Sequence, residues 1–195
     1  MRKIYLFLNL SIDGYFEGPN HDLSWHKVDK EFNKFAITQL NEADLIIFGR
    51  RTYQLMESFW PKAQDDPTIS KEDLIVAKLM NNKPKIVISR TLKKVQEQKN
   101  WKNVKLMNKF DPKEIIKLKR QKGNGIWVGG SDLAVSFIKS GLIDEFRFMI
   151  MPVAIGKGTP LFKKLGRRLN LKLVKTQRFK SGNMLLYYRS PKLGK

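Results

Sequence analysis

Lys3–Ser11 (KIYLFLNLS) is a near-continuous apolar run, the pattern of a central strand covered on both faces. A polar loop with Gly14, Gly18 and Pro19 follows, after which Val28, Phe32, Phe35, Ala36 and Leu40 recur at helical spacing. Residues 44–49 (DLIIFG) read as a second buried strand and residues 50–59 (RRTYQLMESF) as a short helix. The stretch 62–68 (KAQDDPT) reads as an insertion within the domain. Ser70–Asn82 is then a helix, Pro84–Ser89 a third strand and Asn103–Met107 a fourth. Asp111-Pro112-Lys113-Glu114 starts a helix with an Asp cap, a first-turn Pro and a Glu three residues after the cap. Gly123 and Gly125 stop it, residues 125–130 (GIWVGG) form the next strand, and Ser131–Ser140 is a helix closed by Gly141.

Beyond Asp144 the helices cease. Asp144–Pro152 runs apolar, while Leu169–Phe179 and Met184–Arg189 flank a Ser181-Gly182-Asn183 turn and read as a hairpin. Strand–helix repeats followed by strands alone predict a central, mostly parallel sheet flanked by helices, with an antiparallel C-terminal hairpin. At 195 residues, with no repeat or low-complexity tract, the expectation is one domain over 1–195.

Composition removes several chemistries. There is no cysteine, so disulfides, thiolate metal sites and cysteine nucleophiles are excluded. His21 and His26 lack a convergent carboxylate motif and read as loop residues, so no metal is expected. Arg2 and Lys3 before Ile4–Leu8 imitate a signal peptide, but Asn9, Ser11 and Asp13 interrupt the run and no cleavage site follows. No stretch reaches the roughly 18 apolar residues of a spanning helix, and a cytoplasmic location is expected.

Charge is the unusual quantity: 38 basic against 18 acidic residues give +20. The excess lies wholly beyond residue 60, since the first 60 residues hold seven basic and eight acidic side chains. Such a field attracts polyanions, and Lys157, Lys163, Lys164, Arg167 and Arg168 form the densest local group. No nucleic-acid motif accompanies them, and a solvated lysine-rich surface is the plainer reading.

In open α/β sheets, ligands gather beyond the carboxyl ends of the parallel strands. Three such ends carry Gly49-Arg50-Arg51-Thr52, Ser89-Arg90 and Gly129-Gly130-Ser131-Asp132-Leu133. A glycine before a helix start lets bare N–H groups approach a phosphate, and arginine supplies paired donors. Each element alone has a plainer reading, as a tight turn or a solvated side chain. Together they suit an extended ligand with two or three phosphates.

The strings LNLSIDGYFEGP (8–19), LIIFGRRTY (45–53), KIVIS (85–89) and IWVGGSDLAVSFIKSGLIDEFRFMIMPVAIGKGTPLF (126–162) resemble the dihydrofolate reductase-like superfamily. Within it they are most similar to the branch related to the reductase domain of the bifunctional riboflavin-biosynthesis deaminase-reductase. The resemblance implies the fold read above and an NADPH-dependent reductase acting on a pteridine or aminopyrimidine such as 5-amino-6-(5-phosphoribosylamino)uracil. It assigns Gly49, Arg50 and Thr52 to the NADPH phosphates, with Arg51 in the variable place, and Ser89 with Arg90 to the 2′-phosphate. It assigns Gly129, Gly130, Ser131, Asp132 and Leu133 to the pyrophosphate and nicotinamide side.

For catalysis the resemblance points to a carboxylate soon after Trp25, and Asp29 is the first choice beside Lys30 and Glu31. Asp29 also suits a helix start on dipole grounds alone. Asp13 matches the Ser-x-Asp-Gly element bordering substrate and nicotinamide, or serves as a turn residue before Gly14. Tyr53, Phe59 and Trp60 suit the wall of a flat heterocycle, or packing against the sheet. The riboflavin branch forms dimers, so a homodimer is implied. Phe146–Met151 is apolar enough for a subunit contact or for a buried strand. The remaining alternatives are a catalytically silent nucleotide-binding module of the same fold and a basic nucleic-acid-binding protein. A small-molecule substrate, no specific nucleic acid and no membrane are the expected partners.

Overall fold

The computed structural model describes residues 1–190. Its centre is an eight-stranded sheet. The first strand, β1 (Lys3–Ser11), lies between β6 (Gly125–Gly129) and β7 (Glu145–Met151) and is parallel to both. Outward from β6 run β3 (Leu45–Gly49), β4 (Lys85–Ile88) and β5 (Val104–Met107), all parallel. On the other side β10 (Met184–Arg189) pairs antiparallel with β7, and β9 (Lys172–Arg178) closes the edge. The mostly parallel sheet and the C-terminal hairpin match the sequence expectation.

The continuous apolar run of β1 follows from period-two alternation with helices on both faces. Ile4, Leu6, Leu8 and Leu10 join a core with Ile115 of α4 (Pro112–Arg120) and Leu133, Ala134, Phe137 and Ile138 of α5 (Ser131–Lys139). The opposite face carries α1 (Lys30–Glu42) and α3 (Lys71–Asn82), with Phe7 packed beside Phe32 and Phe35 of α1. β7 is enclosed between β1 and β10, so the apolar side chains of Phe146–Met151 are used within this chain's own core.

Four local features depart from the sequence reading. Helix α2 (Arg50–Ala63) continues through Pro61, past the expected stop at Phe59. Its last carbonyls find donors elsewhere in the fold: Asn81 Nδ2 binds Trp60 O at 3.1 Å and Asn100 Nδ2 binds Pro61 O at 3.1 Å. Trp60 O also accepts the Gln64 N–H at 3.2 Å, so the Asn100 bond to Pro61 O is the one that meets a group a helix end leaves open. Helix α1 begins only at Lys30, so Val28 lies outside it and is exposed. A two-stranded pair, β2 (Tyr15–Glu17) with β8 (Thr159–Pro160), was not legible from pattern. Lys85, read as a strand residue, is fully buried, its Nζ donating to the carbonyls of Met80, Asn81 and Lys83 at 2.6–2.9 Å over the ring of Trp101. It closes the C-terminal end of α3.

Candidate functional site

Strands β6, β3 and β4 lie side by side, so their carboxyl ends form a row about 10 Å wide at ordinary strand spacing. At the first two ends a helix starts immediately after glycine. Gly49 precedes α2 and Gly130 precedes α5, and neither helix has a side-chain cap. Both therefore present bare N–H groups and the positive end of a helix dipole.

Phe48 pairs with Gly129 in the sheet, which sets the two helix starts next to each other. A Cβ on Gly129 would sit 2.9 Å from the Phe48 ring, and one on Gly130 would collide with Thr52 Oγ1. Gly130 also has φ +100°, a conformation that disfavours any side chain. The glycine pair thus lets two anion-binding helix ends converge, as a ligand with linked phosphates requires.

Arg50 and Arg51 are exposed, and Arg50 Nη1 donates to Gln54 Oε1 at 3.3 Å. Asp132, in the first turn of α5, pairs with Lys164 at 2.7 Å, so its negative charge is offset where an anion would lie. Lys164 was read only as part of the basic group. Arg167 donates to Lys139 O at the other end of α5, so two members of that group flank this helix. Ser89 is buried, and its Oγ accepts from the N–H groups of Thr91 and Leu92, shaping the turn that displays exposed Arg90. Beside it a depression of about 540 Å³ is lined by Arg90, Met107, Asn108, Lys109, Asp111 and Glu114. Another, of about 590 Å³, lies at the opposite end of the sheet. Its charged lining is already paired, Arg147 with Glu42 and Glu145, and Lys3 with Glu145.

Of the three aromatic candidates, Tyr53 and Trp60 face one core cluster and Phe59 packs on Trp60. Tyr53 is buried against Trp101, its hydroxyl donating to Glu57 at 2.7 Å, and burial raises its pKa. Phe59 is exposed and packs edge-on against Trp60. Ten residues along the helix, Phe59 stands about 15 Å from Gly49. Tyr53 and Trp60 pack in the core under α2, and Phe59 is the exposed one of the three.

Asp29 is the cap of α1, with Oδ1 accepting from Phe32 N–H at 2.8 Å. Asp13 accepts from the N–H of Gly156 at 2.8 Å and of Ile155 at 3.3 Å, tying the end of β1 to the loop after β7. A hydrogen bond with Ser11, then those backbone donors, hold its carboxyl below the ordinary range. Sequence reasoning passed over Asn9 and treated His26 as a loop residue. Asn9 Nδ2 lies 3.3 Å from His26 Nδ1, and burial pushes the imidazole down to about 4. The available signal was the polar residue breaking the apolar run of β1.

Strand order, hairpin and paired helix starts define a protein of the dihydrofolate reductase-like fold. In fold it resembles a dihydrofolate reductase from Enterococcus faecalis solved with NADP(H), at TM-score 0.62 and 14% identity over 97% of both chains. It also resembles a Thermotoga maritima deaminase/5-amino-6-(5-phosphoribosylamino)uracil reductase, at TM-score 0.67 and 15% identity. That match covers 97% of this chain and 57% of that longer one. The chain belongs to the RibD C-terminal domain family, whose model matches residues 2–185. The uncharacterized protein YyaP of Bacillus subtilis (strain 168) is 38% identical over 190 residues, covering 96% of this chain and 94% of the relative.

Proposed function

We propose that the protein is an NADPH-dependent reductase that delivers a hydride to a pteridine or an aminopyrimidine of the 5-amino-6-(5-phosphoribosylamino)uracil type. The observation that carries the reading is the convergence of the uncapped starts of α2 and α5 around a glycine pair that any Cβ would fill. Arg50, Thr52 and the N–H groups of Ser131, Asp132 and Leu133 would hold the phosphates, with Ser89 and Arg90 toward the 2′-phosphate. Bound there, NADPH supplies the hydride.

The protein's own part is positioning and proton supply. Asp13 is tied to the loop after β7 by the N–H groups of Gly156 and Ile155, which suits a structural role. Asp29 is therefore the proposed acid–base residue, following Trp25 and His26 at the start of α1. Family membership supports a reductase, and the acceptor class is our reading of the site. Fluorescence titration with NADPH and NADH, then an acceptor screen following NADPH absorbance, tests it. Saturable NADPH binding with turnover of a pteridine or aminopyrimidine is expected. Binding without any turnover would demote the protein to a nucleotide-binding module, and no binding at all would remove the reading.

A further inference from the structure

The sheet divides the helices into two sets, and the charge divides with them. Helices α1, α2 and α3 cover one face, packing around Phe48, Tyr53 and Met80 and around Phe32 and Phe35. Together they hold seven basic and five acidic residues. The other face carries α4, α5 and residues 161–168, which hold nine basic and two acidic residues.

This second face is one continuous surface. Leu161 and Leu165 are buried in the core beneath α5, which pins residues 161–168 across the outside of that helix. Lys164 pairs with Asp132 at the start of α5, and Arg167 donates to Lys139 O at its end. Phe110, two residues before α4, packs on Phe137 of α5 with ring centroids 5.0 Å apart, so the two helices lie side by side. Lys117, Lys119 and Lys164 pair with Glu114, Asp144 and Asp132. Lys113, Arg120, Lys139, Lys163, Arg167 and Arg168 are exposed and have no carboxylate partner among the described residues. Unpaired charges of one sign repel each other and work against the compact state. A lysine-rich composition alone would charge both faces alike, and here the α1–α3 face is nearly neutral.

The chemistry of the face selects among polyanions. None of the large side chains of α4 or α5 is an exposed hydrophobic, so these helices lack the apolar anchors with which a basic helix enters a bilayer. Phe162, 41% exposed, stands beside Lys163 and Lys164, its ring held edge-on to Phe148 at 6.0 Å. A fixed aromatic ring among cations suits the stacking of an unpaired base. We infer that this face binds single-stranded nucleic acid through its phosphates, without regard to base sequence, with Phe162 stacking on a base. The claim is independent of the reductase reading.

The test uses the full chain and two fluorescent probes, a short oligo-dT and an unrelated RNA strand of the same length. Fluorescence anisotropy should show saturable binding of both, weakening steeply as salt is raised. Two triple variants remove equal charge from exposed positions, so both should keep the parent's unfolding temperature. Arg120→Gln, Lys163→Gln and Arg168→Gln together should weaken binding about tenfold or more and flatten the log–log salt slope by about 2. Lys34→Gln, Lys71→Gln and Lys78→Gln, on the opposite face, should change affinity by about twofold at most. Phe162→Leu should weaken oligonucleotide binding by about fivefold or more and leave heparin, which has no bases, unaffected. Saturating NADPH should not displace the strand. Absence of binding, or equal losses in the two triples, would overturn the inference, the second by reducing it to net charge. Equal effects of Phe162→Leu on heparin and oligonucleotide would remove the stacking and with it the single-strand assignment. Displacement by NADPH would move the strand to the glycine turns. Tighter binding to vesicles of phosphatidylcholine and phosphatidylglycerol than to either strand would make the face a membrane surface instead.

Discussion

Thr52 Oγ1 occupies the space that a Cβ on Gly130 would need. One residue is in the first turn of α2 and the other immediately precedes α5, so their contact sets how closely the two helix starts approach. A single methyl group at position 130 would force them apart.

Gly130→Ala should therefore lower stability through two separable terms. The positive φ costs on the order of 1–3 kcal/mol, and the collision adds to it. Thr52→Ala in the same chain should recover the second term and not the first. Thermal unfolding of both variants checks this, and full recovery in the double variant would mean that φ carries no strain.

Arg50 is exposed and hydrogen-bonds to Gln54 within its own helix, so Arg50→Ala should leave stability within about 0.5 kcal/mol. A charge-assisted contact to phosphate is worth about 1.5–3 kcal/mol, so NADPH affinity should drop by tenfold or more. An unchanged dissociation constant in the titration would return Arg50 to the solvated surface.

Asp29 separates capping from chemistry. Asp29→Asn keeps a good cap and should preserve stability, whereas Asp29→Ala should cost about 0.5–2 kcal/mol. If Asp29 serves the acceptor, both variants should lose turnover by about 10²-fold or more with NADPH binding intact. Full turnover in Asp29→Asn would leave the residue as a cap alone.

His26 makes stability pH-dependent. Its imidazole is held at about 4 against an ordinary 6.5, so between these values the unfolded chain binds a proton that the native chain does not. Stability from this group is complete above pH 6.5 and falls as pH drops toward 4, by about 3 kcal/mol in all. Urea unfolding at pH 7 and pH 4.5 should show a smaller acid loss in His26→Phe than in the wild type. Equal losses would show that the ring is not desolvated.

Lys85 provides a contrast remote from the site. Lys85→Met removes the donor shared by three carbonyls at the end of α3, and loss of such a buried bonding group costs about 1–3 kcal/mol. Unfolding should become easier while NADPH affinity stays unchanged. A matched loss of affinity would tie this end of the sheet to the opposite one.

Period and punctuation in the chain were enough for the strand and helix sequence and for the hairpin. They sufficed because β1, β3 and β6 are buried on both faces and their helices follow at glycine or a capping residue. The same punctuation marked Gly49, Ser89 and Gly129–Gly130, since strand ends in a parallel sheet share one rim. Adjacency was another matter. That β6 inserts between β1 and β3, bringing α5 against α2, is set by pairing between segments far apart in sequence, Lys3 with Gly125 and Phe48 with Gly129. Helix α2 runs through Pro61, and Asn81 and Asn100 reach its last carbonyls from across the fold, contacts that no local pattern announces. Asn9 and His26 are 17 positions apart with no shared motif, and only the return of the loop over the face of β1 joins them. Local pattern reports which side chains want burial, and long-range pairing decides which polar atoms are left inside without a partner.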